Sequence, residues 1–129
     1  MVAATPRSAP RDTVIERGYS GHFYTVAEVN DEPIRFVVDT GASVVALTQE
    51  DARRAGVAFD PGAFAVVAQG ASGAVRGQEV VLRDVALDGK RVAEVHAVVL
   101  EGLGVSLLGQ NYLRHLDTVS ISGDRMTLR

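Results

Sequence analysis

The 129-residue sequence predicts a mainly β domain with short helices, on three observations. Apolar residues make up 47% of the chain but aromatics only 5%, so the core has to be built from Val, Leu and Ala. The valines fall in short runs, and β-branched side chains suit a pleated sheet. Clusters of Gly, Asp, Asn and Pro interrupt those runs and supply turn chemistry. A chain of this length suits one domain with a real but modest core.

Met1 to Arg17 is rich in Ala, Pro, Arg and Thr without sustained periodicity, and reads as a flexible tail or linker, leaving 18–129 as the folded domain. It lacks the apolar stretch of a signal peptide, and no later run approaches the roughly 20 apolar residues of a membrane helix. The chain therefore reads as a soluble domain. Gly21 to Val29 alternates loosely enough for a first strand, Asn30, Asp31, Glu32 and Pro33 make a turn, and Ile34 to Val38 forms the partner strand. His22, alone beside aromatics, is a packed or surface residue with no catalytic role.

The partner strand delivers Asp39 at its end. In FVVDTGASVVALT, Phe36 to Thr48, an acid sits on a sharp turn between two apolar strands. Gly41 permits close backbone approach, and the hydroxyl of Thr40 can bond neighbouring backbone. Such an acid is either a solvated turn residue or a catalytic group held rigidly. A short helix follows, with Thr48 as N-cap, Asp51 completing a capping box and Gly56 as the stop. Ala63 to Ala68 and Ala74 to Val85 are strand-like runs joined by QGASG, Gln69 to Gly73, which by local sequence is an ordinary hairpin. Leu87, Asp88, Gly89 and Lys90 turn the chain into a strand from Arg91 to Leu100. Val105 to Leu108 is a mostly apolar run ending at Gly109, Gln110 to Leu116 is a short helix, and the last 14 residues, LDTVSISGDRMTLR, alternate as a hairpin.

Two motifs in this order, the apolar-apolar-Asp-Thr-Gly-Ala loop and the later Leu107-Leu108-Gly109 that opens a helix, resemble the retropepsin-like aspartic proteases. The resemblance runs from about Gly21 to the C-terminus and looks closest to the bacterial single-domain branch of clan AA, whose members read DTGAS and LLG. It implies a closed β-barrel of the acid-protease fold with a flap hairpin and short helices, one lobe per chain, active as a homodimer. It makes Asp39 catalytic, with Thr40, Gly41 and Ala42 supporting the active-site loop. Gln69, Gly70, Ala71, Ser72 and Gly73 become the substrate-binding flap. Leu107, Leu108 and Gly109 pack beside the loop, the glycine leaving it room. Viral enzymes place an arginine where Gln110 stands and pair it with an aspartate after the catalytic loop. Neither is present here, so viral details of interface and substrate binding do not carry over, although Asn111 matches the viral pattern.

A count then sets the mechanism. The sequence holds one DTG, whereas aspartic-protease chemistry needs two carboxylates facing one water, so a two-fold symmetric homodimer would bring Asp39 against its own copy. Like charges about 3 Å apart do not both ionise, and the pair shares one proton. The partner is a peptide or protein substrate, and the chemistry requires no metal or other cofactor. A rival reading is a non-catalytic peptide-binding dimerisation module with the same fold, which the intact DTG argues against. A formal charge of −3 and a pI near 5.5, without a basic block, give no support for nucleic-acid binding. The absence of cysteine excludes disulfides and thiol catalysis, and three scattered histidines argue against zinc. Bacterial proteases of this type often carry an N-terminal membrane anchor with the catalytic domain outside the cytoplasm. Two placements stay open: a periplasmic domain anchored through a longer parent chain, or a cytoplasmic one.

Overall fold

Each hairpin turn is set by residues that tolerate a left-handed backbone. The computed structural model describes residues 9–71 and 73–129. Strands β2 (Tyr24–Val29) and β3 (Glu32–Val38) join through Asn30 and Asp31 alone, at φ 50° and 69°. Two successive positive φ values give the turn twist that matches paired strands. Glu32 and Pro33, expected in that turn, already belong to β3. The same device, Asp88 at φ 49° and Gly89 at φ 77°, joins β6 (Gly73–Leu87) to β7 (Lys90–Leu100).

With β4 (Val45–Thr48) and β8 (Ser106–Leu108), these strands close a barrel in the order β2-β3-β8-β4-β7-β6. The ring shuts where Glu28 and Val29 of β2 pair with Ala86 and Val85 of β6. Val29, Ile34, Phe36, Val45, Leu47, Leu82, Val85, Val99 and Leu108 are fully enclosed by it. The expected Val- and Leu-rich core is thus the inside of a closed mainly β barrel. Beyond the ring, β5 (Ala65–Gly70) pairs only with the first part of β6, and all six of its residues are exposed. The two strands form an arm.

The chain termini build a second, three-stranded sheet. In it β1 (Thr13–Glu16) pairs with β10 (Arg125–Leu128), which pairs with β9 (Val119–Ser122). The β9–β10 hairpin is the one expected. Strand β1, however, corrects the boundary at residue 17, because Thr13–Glu16 lies inside the stretch expected to be a tail. Thr13 and Ile15 face inward while Val14 and Glu16 are exposed, an alternation too short to register, and the partner strand lies at the far end of the chain. A polar clasp fastens this strand to the β6–β7 turn: Thr13 and Arg11 donate to the Asp88 carboxylate, and Lys90 donates to Thr13 Oγ1. Burial pushes the Lys90 ammonium below its ordinary pKa, against the pull of Asp88 and Asp12. No helix among the described residues is long and apolar enough to cross a membrane.

Helix α1 (Gln49–Arg54) begins as expected, with Thr48 Oγ1 accepting from Asp51 N, and ends before Gly56 at φ 71°. The reciprocal half of the capping box is relayed. Ser106 Oγ, fully buried on β8, accepts from Thr48 N at 3.1 Å and donates to Asp51 Oδ2 at 2.6 Å. Ser106→Ala removes both bonds and leaves two part-buried polar groups short of a partner, so it lowers stability by about 1 kcal/mol. Urea unfolding checks this through the midpoint at unchanged slope; a shift worth less than about 0.5 kcal/mol would remove Ser106 from the cap.

Helix α2 (Gln110–Leu113) is shorter than the expected 110–116. Its continuation is a pair of tighter turns, His115 N to Tyr112 O and Leu116 N to Leu113 O. Tyr112 explains the anchorage: it is fully buried, donates to Lys90 O at 2.6 Å, and burial pushes its hydroxyl up to about 12.

Candidate active site

Strands β3 and β8 run parallel and side by side, with Phe36 opposite Ser106, Val37 opposite Leu107 and Val38 opposite Leu108. They end together, so the residues that follow, Asp39 and Gly109, emerge at one place. Phe36, Val38 and Leu108 point into the core. Val37 and Leu107 lie on the opposite face, with Ala46 of β4 beside Leu107.

Asp39 is half-buried, and its backbone is tied on both sides of the turn. Asp39 N donates to Leu108 O at 3.0 Å, and Ala42 N donates back to Asp39 O at 3.1 Å. One residue earlier, Val38 N donates to Phe23 O at 2.9 Å. The side chain is aimed as well, because Gly41 N donates to Asp39 Oδ1 at 3.0 Å. Thr40 and Gly41 stay exposed at the tip of the turn. The predicted loop Asp39, Thr40, Gly41 and Ala42 is therefore one hydrogen-bonded unit carrying an accessible carboxylate.

Gly109 locks this unit from behind. A Cβ there would stand 2.4 Å from Val44 O and 3.0 Å from Ala42 O, so only glycine lets the two backbones meet. Helix α2 then grips the loop with its first amides, Gln110 N to Ala42 O at 2.8 Å and Asn111 N to Ser43 O at 3.1 Å. The side chains of the same residues add further bonds. Gln110 Nε2 donates to Thr40 O at 2.9 Å, and Asn111 Oδ1 accepts from Val45 N at 3.0 Å while Asn111 Nδ2 donates to His96 O. Sequence reasoning gave Gln110 and Asn111 no place in the site. Their adjacency to Leu107-Leu108-Gly109 was the available signal.

The other predicted group stands apart. Gln69, Gly70, Ala71 and Gly73 are exposed at the end of the β5–β6 arm, Gly73 at φ 116°, and Ser72 lies outside the described residues. No hydrogen bond joins the arm to residues 39–42 among the described residues. A concave groove of about 510 Å³ runs between α1 and the loop 101–105, lined by Arg35, Thr48, Asp51, Leu103 and Val105 among others. Asp39 does not line it. The ordered carboxylate argues for the turn over the groove.

A closed barrel, a parallel strand pair ending at an aspartate turn, and a glycine-helix brace behind it define a retropepsin-like fold. Residues 25–115 match the family described as "gag-polyprotein putative aspartyl protease". A retropepsin-like aspartic protease from Rickettsia conorii has a similar structure, with TM-score 0.76 and 34% identity over 92% of this chain and 89% of that one. EIAV protease, solved with the inhibitor HBY-793, shares the fold at TM-score 0.58 and 20% identity, covering 75% of this chain and 89% of the viral one. An uncharacterized protein from the cobV 5′ region of a Sinorhizobium species is 33% identical over 129 residues, which is 97% of this chain and 54% of that protein. An uncharacterized Rickettsia prowazekii protein is 33% identical over 117 residues, 91% of this chain and 51% of its own length. The chain thus spans about half the length of these curated relatives. It belongs to the retropepsin-like aspartic protease family.

Proposed function

We propose that the chain supplies half of an aspartic endopeptidase, with two copies of Asp39 facing one water across a two-fold axis. The observation that carries this reading is the Asp39 turn itself: an accessible carboxylate oriented by Gly41 N and braced by Gly109 and α2. The Gly41 N bond is an Asx turn that plain chain reversals also make; the brace of Gly109 and α2 behind it is what a simple reversal does not need. In the dimer the ionised member of the pair takes a proton from water as the water oxygen bonds to the peptide carbonyl carbon. The protonated member donates a hydrogen bond to the oxyanion as it forms. Transfer of a dyad proton to the nitrogen then releases the amine as the carbon–nitrogen bond breaks. The exposed Thr40 and Gly41 form the surface through which two such loops meet, and Val37 and Leu107 supply an apolar floor beside them. The β5–β6 arm serves as the flap that closes over an extended peptide, excluding water.

Because each chain brings one Asp39, specific activity on a peptide library rises with protein concentration through the dimer dissociation constant. Mass-spectrometric detection of cleavage across a dilution series, with sedimentation of the same samples, tests this. Full activity from a species shown to be monomeric would overturn the shared site.

A further inference from the structure

The arm that this reading makes a flap has few contacts to fix its angle. Among the described residues strand β5 has no neighbour on its outer edge; it carries an irregularity between Val66 and Ala68 and leaves Val66 and Val67 exposed. The last register pair between β6 and β7 is Gly77 with Leu100, so among the described residues the part of β6 before Arg76 is paired with β5 alone. A two-stranded ribbon is marginal by itself in water. Its direction must be set at the root.

Three residues meet there. Phe64, directly before β5, is buried in the core cluster and stacked on Phe59. Gly77 packs so closely on β7 that a Cβ would stand 2.3 Å from Val99 O. Between them Arg76 reaches both ways. Its Nη2 donates to Phe64 O at 2.8 Å, its Nε lies 3.7 Å from Glu101 Oε2, and its own carbonyl accepts from Glu101 N at 2.9 Å. Glu101 opens the loop that leads into β8, the strand that delivers Leu107, Leu108 and Gly109 to the Asp39 turn.

We propose that Arg76 is a positioning residue that sets the angle of the β5–β6 arm and couples it, through Glu101, to the loop entering β8. The proposal rests on the arm acting as the flap. The ion pair is exposed, and such a pair shifts an equilibrium by about fivefold or less. That suffices where the element it holds is itself marginal, and it leaves the barrel untouched. The carbonyl of Phe64 is the stronger tether, since a charged donor shortens and strengthens the bond.

The chain has no cysteine, so Ala71→Cys and Val26→Cys can carry two spin labels, one on the arm tip and one on the barrel wall. The test is the distance distribution between them in labelled chains diluted into unlabelled protein. Arg76→Gln broadens it, raising the population outside the wild-type peak about threefold to fivefold. Glu101→Gln has a smaller effect, the double variant adds little to Arg76→Gln, and the melting temperature holds in all three. With peptide substrate, Arg76→Gln raises KM by a similar factor while kcat stays within about twofold. An unchanged distance distribution in Arg76→Gln overturns the proposal, as does broadening accompanied by a lowered melting temperature. Wild-type protein that cleaves no peptide refutes the flap reading instead, and the distances still decide whether Arg76 holds the arm.

Discussion

Asp39→Asn lowers kcat/KM by about 10⁴-fold or more, while the melting temperature and the dimer dissociation constant stay close to wild type. The asymmetry follows from what the turn asks of the residue. Asn keeps an oxygen where Asp39 Oδ1 accepts from Gly41 N, and the backbone bonds to Leu108 and Ala42 do not involve the side chain. The fold therefore keeps its contacts. What disappears, on the proposed mechanism, is a group able to take a proton from water and return it to the leaving nitrogen. Two amides facing each other also lack the repulsion of two carboxylates, so dimerisation does not weaken. The measurement is cleavage of one peptide by wild type and variant at matched dimer concentration, with thermal unfolding beside it. A variant that cut at the wild-type rate would remove Asp39 from the mechanism. A wild type that bound peptide without ever cutting it would favour the non-catalytic module.

The strands and their turns were legible because those signals are local, while the closed barrel was expected only through the resemblance carried by the Asp39 loop and Leu107-Leu108-Gly109. Asn30-Asp31 and Asp88-Gly89 announce turns by their own chemistry, and the short β-branched runs on either side favour strands. The Asp39 turn and Leu107-Leu108-Gly109 were legible as a pair, and the structure lays them side by side. Other features depend on partners far along the chain. Strand β1 shows only two inward residues, and nothing near Thr13 indicates that Leu128 will pair with it. Ser106 looks like one more small residue in an apolar run, and becomes part of a helix cap only because β8 lies beside Thr48 and Asp51. Gln110 and Asn111 were read against a viral pattern as a loss and a match. Their bonds to Thr40 and Val45 follow instead from where α2 starts, directly behind the loop.

Gly109→Ala carries the second large effect, on stability and rate together. The added Cβ would meet Val44 O at 2.4 Å and Val44 C at 2.6 Å, both backbone, so no side chain can swing aside. Nor is that backbone free to retreat. Ala42 O and Ser43 O are held by Gln110 N and Asn111 N, and Val45 N is held by Asn111 Oδ1, all within two residues of Val44. Overpacking a fixed contact costs typically about 1–3 kcal/mol, and a contact with backbone on both sides belongs at the upper end. Relief has to come from moving α2 and the Asp39 turn apart, and a displacement near 1 Å at a reacting group costs about 100-fold in rate. The control is Leu82→Ala, which empties volume at a fully buried position on β6 and costs about 2–5 kcal/mol without touching the turn. Corrected for the folded fraction, Leu82→Ala keeps its kcat/KM and Gly109→Ala loses about two orders of magnitude. Equal losses in the two variants would mean that Gly109 matters to the fold alone and that the brace behind Asp39 has no catalytic consequence.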